Sequence, residues 1–226
     1  MQSGGMIRAV ATSILLSLAA APAMACDLAL VLAVDVSGSV DSREYRIQRD
    51  GLAAALQDGV VAEALVAAQA QVMVLQWTGV GRQQVTVPWQ QITDFAALRA
   101  FSEHVAADPR AWRNFSTAIG EALDVAVARF ADVPNCTRRV IDVSGDGQSN
   151  EGLVPTAMRT RLKAENVTVN ALVIEGAEDD LTAYFWENVI WGEGAFVVTA
   201  NSFDDYPERI RLKLRRETTK QTAMLE

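Results

Sequence analysis

Six short runs of apolar and β-branched residues punctuate this chain, and the stretches between them carry apolar positions at helical spacing. The runs are 28–34 (Leu28-Ala29-Leu30-Val31-Leu32-Ala33-Val34), 71–77, 84–88, 139–144, 168–174 and 195–199. A short apolar run without alternation predicts a strand covered on both faces. Helices are expected at 42–57, 61–68, 93–106, 117–130, 155–165, 179–189 and 203–216. Asp41 and Glu44 make a capping box at the start of the first, with Asp41 as N-cap, and Pro155 suits the first turn of the fifth. Strands alternating with helices of this length predict an α/β fold, with a doubly wound, mostly parallel sheet and helices on both faces. Runs 71–77 and 84–88 are separated only by a short segment containing Gly79 and Gly81. That spacing suits a hairpin, so one edge strand is expected to be antiparallel.

The chain has 226 residues, 50% of them hydrophobic, enough for one sizeable core. Its amino terminus carries one charge, Arg8, followed by an apolar stretch from Ala9 to Ala20, then Pro22 and Ala23-Met24-Ala25. This is the pattern of a secretory signal peptide cleaved after Ala25. A membrane anchor is the other reading, but the run is shorter than the ~20 residues a span requires. The expected organisation is therefore a leader at 1–25, one domain at 26–217 and a polar tail at 218–226. The protein is expected to be exported, periplasmic or extracellular, with no stable membrane insertion. The formal net charge of −8 becomes −9 without Arg8. An acidic surface argues against nucleic acid and anionic lipid as partners.

Two cysteines are present, Cys26 and Cys136. An even count in an exported protein suggests a disulfide, while Cys26, first after the cleavage point, is alternatively a lipid attachment site. Spacing favours the disulfide. Cys26 lies nine residues before Asp35, and Cys136 lies ten before Asp146. If strands 28–34 and 139–144 are parallel neighbours in register, ~4.8 Å apart, the two cysteines meet at the end opposite the aspartates.

The candidate chemistry begins at Asp35-Val36-Ser37-Gly38-Ser39, on the loop leaving the carboxyl end of the first strand. One carboxylate and two hydroxyls at alternate positions are hard oxygen ligands, suited to Mg²⁺, Mn²⁺ or Ca²⁺ rather than Zn²⁺. Thr117 opens a helix, where Ser116 or Thr117 also reads as an N-cap. Asp146, in Ser144-Gly145-Asp146-Gly147, leaves the end of another strand, where Asp-Gly also reads as a turn. In an open α/β sheet, ligands bind outside the carboxyl ends of strands where the strand order reverses, and all three segments fit that one crevice.

The set Asp35, Ser37, Ser39, Thr117 and Asp146 resembles the metal-ion-dependent adhesion site (MIDAS) of the von Willebrand factor type A (VWA) family, across about residues 27–216. Ala33-Val34-Asp35-Val36-Ser37-Gly38-Ser39-Val40-Asp41 and Trp191-Gly192-Glu193-Gly194-Ala195-Phe196 look like a bacterial group of exported VWA-like proteins of uncharacterised function. The resemblance implies direct ligation by Ser37 and Ser39, direct or water-mediated ligation by Thr117, and largely water-mediated roles for Asp35 and Asp146. It also implies a Mg²⁺-dependent protein-binding module, not an enzyme, that captures an Asp or Glu carboxylate of a partner protein or peptide. Many members have Gly-Gly before the threonine; here Phe115-Ser116 stands there, leaving Ser116 as an alternative ligand.

Two other classes are weighed. A metal at such a crevice assists phosphoester hydrolysis in some enzymes, but Ser37 stands where an aspartyl phosphatase needs its second acid. No G-x-S-x-G or P-loop sequence occurs, and His104 is the only histidine. The third class is a structural envelope protein whose motif binds nothing. The five tryptophans are expected in packing roles, with Trp112 as a candidate for the site's rim. Glu175, Glu178, Asp179 and Asp180 either add negative potential to that face or, as the favoured reading, make a solvated helix start.

Overall fold

The computed structural model describes residues 26–176 and 180–219, so the leader 1–25, Glu178, Asp179 and most of the tail lie outside the described residues. The strands are β1 (Leu28–Asp35), β2 (Gln71–Trp77), β3 (Gln83–Gln91), β4 (Arg138–Gly145), β5 (Val167–Ile174) and β6 (Val197–Ala200). The helices are α1 (Ser42–Leu56), α2 (Gly59–Ala67), α3 (Phe95–Ala107), α4 (Ile119–Arg129), α5 (Arg159–Ala164), α6 (Leu181–Asn188) and α7 (Tyr206–Thr219). The sheet order is β3-β2-β1-β4-β5-β6. The β2–β3 pair is antiparallel and the other pairs are parallel, as the hairpin spacing predicts. The chain winds outward from β1 to β3, then restarts at β4 on the other side of β1. The reversal of strand order thus falls between β1 and β4.

All eight residues of β1 are buried. Leu28, Leu30, Leu32 and Val34 enter one core with side chains of α1, α2, α3 and α7. Ala29, Val31 and Ala33 enter the other, with α4, α5 and α6. A strand buried on both faces needs no polar alternation, which is why β1 reads as a continuous apolar run. β3, at the edge, has mostly half-buried residues and places Pro88 where a missing N–H costs no ladder bond.

β1 and β4 pair with a constant offset, from Leu28↔Arg138 to Val34↔Ser144. Cys26 and Cys136 keep that offset of 110 residues and form a disulfide with Cα atoms 4.5 Å apart. Closing so long a loop contributes about 2–5 kcal/mol. Asp35 and Asp146 leave the same strand pair at its other end.

Three expectations need correction. Helix 117–130 begins at Ile119, with Ala118 in the cap position and no side-chain cap bond. Neither Ser116 nor Thr117 caps it, because the backbone of Thr117 is held by another loop. Thr218 and Thr219 belong to α7 rather than to the tail: Thr218 follows Ile210 and Leu214 on the buried stripe and donates its hydroxyl to the Leu214 carbonyl at 2.8 Å. Trp186 does not pack. Phe185 points into the core, so its neighbour on α6 faces out and is 58% exposed.

Candidate metal centre

The loop after β1 is defined by its backbone hydrogen bonds. Val36 N–H donates to the Trp77 carbonyl at 2.9 Å, and Gly38 N–H to the Phe115 carbonyl at 2.8 Å. Ser37 N–H turns back onto Oδ1 of Asp35 at 2.7 Å. These bonds hold Ser37 Oγ 3.1 Å from Ser39 Oγ, and Ser39 Oγ donates to Oδ1 of Asp146 at 2.6 Å. Asp35, Ser37, Ser39 and Asp146 therefore form one continuous polar cluster across the β1–β4 switch point. Asp35 and Ser37 are fully buried, while Ser39 and Asp146 open outward.

Thr117 is fixed from two sides. Ser116 C=O accepts from Thr78 Oγ1 at 2.8 Å, and Ala118 N–H donates to the Thr78 carbonyl at 3.1 Å. On the other flank, Thr117 N–H donates to Asn150 Oδ1 at 3.0 Å, and Asn150 N–H returns to the Thr117 carbonyl at 2.9 Å. A Cβ on Gly147 would lie 3.7 Å from Thr117 Oγ1, so that hydroxyl faces the turn carrying Asp146. Thr117 is buried and Ser116 exposed. The strap 147–154 crosses α4 closely: a Cβ at Gly120 would stand 1.9 Å from the Leu153 carbonyl, so only glycine fits there.

The cluster's electrostatics centre on Asp35. Asp35 Oδ2 is buried without a hydrogen-bonding partner. Burial first, then repulsion from Asp146, pushes the Asp35 carboxyl up to about 8. A cation at this cluster would reverse both effects. Among the described residues no group of three or more His, Cys, Asp or Glu is placed to hold a metal. The candidate donors here are two carboxylates and three hydroxyls, a hard-oxygen set of the kind that suits Mg²⁺. The orphaned Asp35 oxygen and this donor set fit a divalent cation.

The cluster forms part of the wall of a cavity of about 480 Å³ that also involves Arg43, Glu44, Phe115, Glu175, Phe203 and Asp204. Glu175 lies on this face. Trp112 does not line the cavity; it packs half-buried against the α1 side of the core, and Phe115 takes the rim. Arg82 stacks over the Phe115 ring, 3.9 Å from its centroid.

The sequence reading missed the polar groups beneath the loop. Gln76, buried on β2, donates to Asp108 Oδ2 at 2.8 Å and to the Pro109 carbonyl at 2.9 Å, and accepts from Ala111 N–H at 2.8 Å. Arg110, held between these contacts, donates from Nη2 to the carbonyls of Val36 and Ser37 at 3.0 and 2.9 Å. A glutamine inside the apolar run 71–77 was the available signal.

Comparison with solved structures places the fold. Proximal thread matrix protein 1 (PTMP1) from the mussel byssus superposes with a TM-score of 0.65 at 20% identity, over 84% of this chain and 47% of that one. A further PTMP1 structure has a zinc-occupied MIDAS motif (TM-score 0.62, 16% identity, 86% and 46% coverage). The pilus adhesin SpaC from Lactobacillus rhamnosus GG matches at 0.61 and 15% identity, over 86% of this chain and 30% of that one. A von Willebrand factor type A protein from Catenulispora acidiphila matches at 0.54 and 20% identity, over 85% and 42%. This chain spans about half the length of PTMP1 and less of the other two, and the likeness is one of fold. No curated protein matches the chain. The doubly wound sheet is a VWA fold, and with residues 25–222 matching its profile the chain belongs to the family described as protein of unknown function DUF1194.

Proposed function

We propose that this protein is an exported, metal-dependent protein-binding module rather than an enzyme. Asp35, Ser37, Ser39, Thr117 and Asp146 would hold a divalent cation, Mg²⁺ foremost, with Mn²⁺ and Ca²⁺ as alternatives. When bound, the ion supplies an electrophilic position for an anionic oxygen, here an Asp or Glu carboxylate of a partner protein or peptide. The observation that carries this reading is the buried Asp35 carboxylate, one oxygen orphaned, joined through two serine hydroxyls to Asp146 at the mouth of a cavity. The residues do the rest: the Asp35 and Asp146 carboxylates draw the ion in, and the neutral hydroxyls leave its charge only partly quenched. The adhesin and matrix proteins that share the fold, one with a zinc-occupied MIDAS, lend support.

Against catalysis stands the cavity lining, which lacks the chain's one histidine; His104 is exposed on α3. Export is supported by the leader pattern at 1–25 and by the disulfide, a bond of oxidising compartments. No helix among the described residues is long and apolar enough to cross a membrane.

Calorimetric titration with Mg²⁺ and Mn²⁺ tests the proposal. Saturable binding is expected, and Asp35→Ala and Asp146→Ala are each expected to abolish it. A wild-type protein that binds neither ion, or binding that survives both substitutions, overturns it.

A further inference from the structure

We infer that Arg110 is the positioning residue for the ion-binding loop, a role that rests on the metal-site reading above. Arg110 touches none of the five oxygen donors and does not line the cavity. Its Nη2 instead bridges two successive carbonyls, Val36 and Ser37, in the stretch linking Asp35 to Ser39. Backbone groups in a buried turn must find partners, and these two carbonyls face away from the Ser37 and Gly38 amides, which are engaged elsewhere. Ser37 C=O also accepts from Val40 N–H at 3.2 Å, and the one guanidinium nitrogen shared by both carbonyls ties the two peptide planes together. With those planes fixed, Ser37 Oγ and Ser39 Oγ fall on the same side of the loop, 3.1 Å apart.

The backbone on either side of Arg110 is itself held. Gln76 takes Pro109 C=O on one side of Arg110 and Ala111 N–H on the other. Tyr45 donates its hydroxyl to the Asp108 carbonyl at 2.9 Å, and Thr86 donates to Asp108 Oδ2 at 2.6 Å. A buried polar frame anchored on α1, β2 and β3 thus ends in a single cation beneath the loop. Second-tier hydrogen bonds of this kind orient first-tier ligands, and their loss commonly costs 10–100-fold in metal affinity.

Charge and geometry predict opposite outcomes here, which makes the inference sharp. A fixed positive charge near the site repels an incoming cation, so its removal by charge alone tightens metal binding. Loss of the clamp loosens the loop and weakens binding. Arg110→Met keeps the aliphatic stem and removes both the donors and the charge. It is expected to weaken Mg²⁺ and Mn²⁺ binding about tenfold or more, with Arg110→Lys intermediate. Arg113→Met, which removes an exposed charge nearby, is expected to leave binding unchanged or tighter. In the metal-free protein, amide exchange at Ser37, Gly38 and Val40 is expected to accelerate in Arg110→Met while Leu30 and Val31 keep wild-type protection. Unchanged or tighter metal binding by Arg110→Met, or unchanged loop exchange, overturns the inference. If Arg110→Met does not fold, Arg110→Lys decides it: wild-type affinity and exchange in that variant overturn it. A wild-type protein that binds no ion overturns the metal reading instead, and the exchange measurement still judges the clamp.

Discussion

Asp142 and Asp146 lie close together on β4 and its following turn, each beside a second carboxylate, and their surroundings differ in kind. Asp142 shares its burial with Glu217, and between them sits Lys213, whose Nζ lies 2.5 Å from Asp142 Oδ1 and 3.2 Å from Glu217 Oε2. Lys213 is 0% exposed. Asn170 donates to Glu217 Oε1 at 2.7 Å, and Arg138 donates to the Glu217 carbonyl at 2.9 Å. Asp146 shares its site with Asp35, and among the described residues no ion pair reaches Asp35. The first cluster holds a cation from its own chain and is sealed under α7. The second opens on a cavity. The difference teaches that buried acids alone do not mark a candidate site, since both regions have them: among the described residues no ion pair reaches Asp35, and its cluster has access from outside.

The most forceful way to break the comparison is to take the cation from the sealed cluster. Lys213→Met leaves Asp142 and Glu217 buried with nothing between them. The expected loss of stability is about 3–5 kcal/mol, the cost of removing one partner of a buried pair. Urea denaturation measures it. A loss below about 1 kcal/mol would mean that water or Arg138 replaces the ammonium, and the two regions would no longer differ in kind.

The open site should respond with the opposite sign. Asp35→Asn keeps the shape of the side chain and removes the ionisable group that burial and Asp146 push up to about 8. The variant is expected to be more stable than wild type without metal at pH 8, by about 1–3 kcal/mol. Mg²⁺ should raise the Tm of wild type, because a ligand that binds only the folded state stabilises it, and should leave the Asn variant unmoved. Thermal scans with and without Mg²⁺ check both. A destabilised Asn variant would mean that the Asp35 carboxylate serves the fold before it serves any ion.

The sequence showed the two clusters unequally, and the reason is physical. β1, β4 and β5 are apolar on both faces, and their runs end at turn residues, so strands, the β1–β4 pairing and candidate ligands stand out together. Asp35 and Asp146 were visible because each follows such a run on a Gly-containing loop. Asp142 and Asn170 were visible only as interruptions of runs 139–144 and 168–174, and nothing near them in the chain names their partner. Lys213 and Glu217 lie on the same stripe of α7 as Ile210 and Leu214. In a helix so rich in Arg and Glu they read as surface charges. Periodicity reports which face is buried, but it does not say that a charge on that face has a counter-charge from another element. Arg110 escaped for the same reason: its partners are backbone carbonyls, which carry no sequence signature.

The finest distinction between the clusters lies in how the sealed one titrates. Burial, added to by Glu217 and opposed by Lys213, pushes the Asp142 carboxyl up to about 8 from an ordinary value of 3.8. Between those values the folded protein keeps a proton that the unfolded chain has released. The native state then binds more protons than the unfolded state, so Asp142 makes stability fall as pH rises through this window, with no further change above about pH 8. The slope is at most about 1.4 kcal/mol per pH unit. Asp142→Asn carries no such proton. Its stability relative to wild type is therefore expected to climb by about 1 kcal/mol from pH 6 to pH 7. Denaturation in saturating Mg²⁺, which under the proposed metal site would hold Asp35 ionised, isolates this contribution from the open site. A difference flat with pH would mean that Lys213 already stabilises an ionised Asp142 across this range. Either result shows whether Asp142 carries a proton in the sealed cluster, which has Lys213 built in, whereas among the described residues no ion pair reaches Asp35 at the switch point.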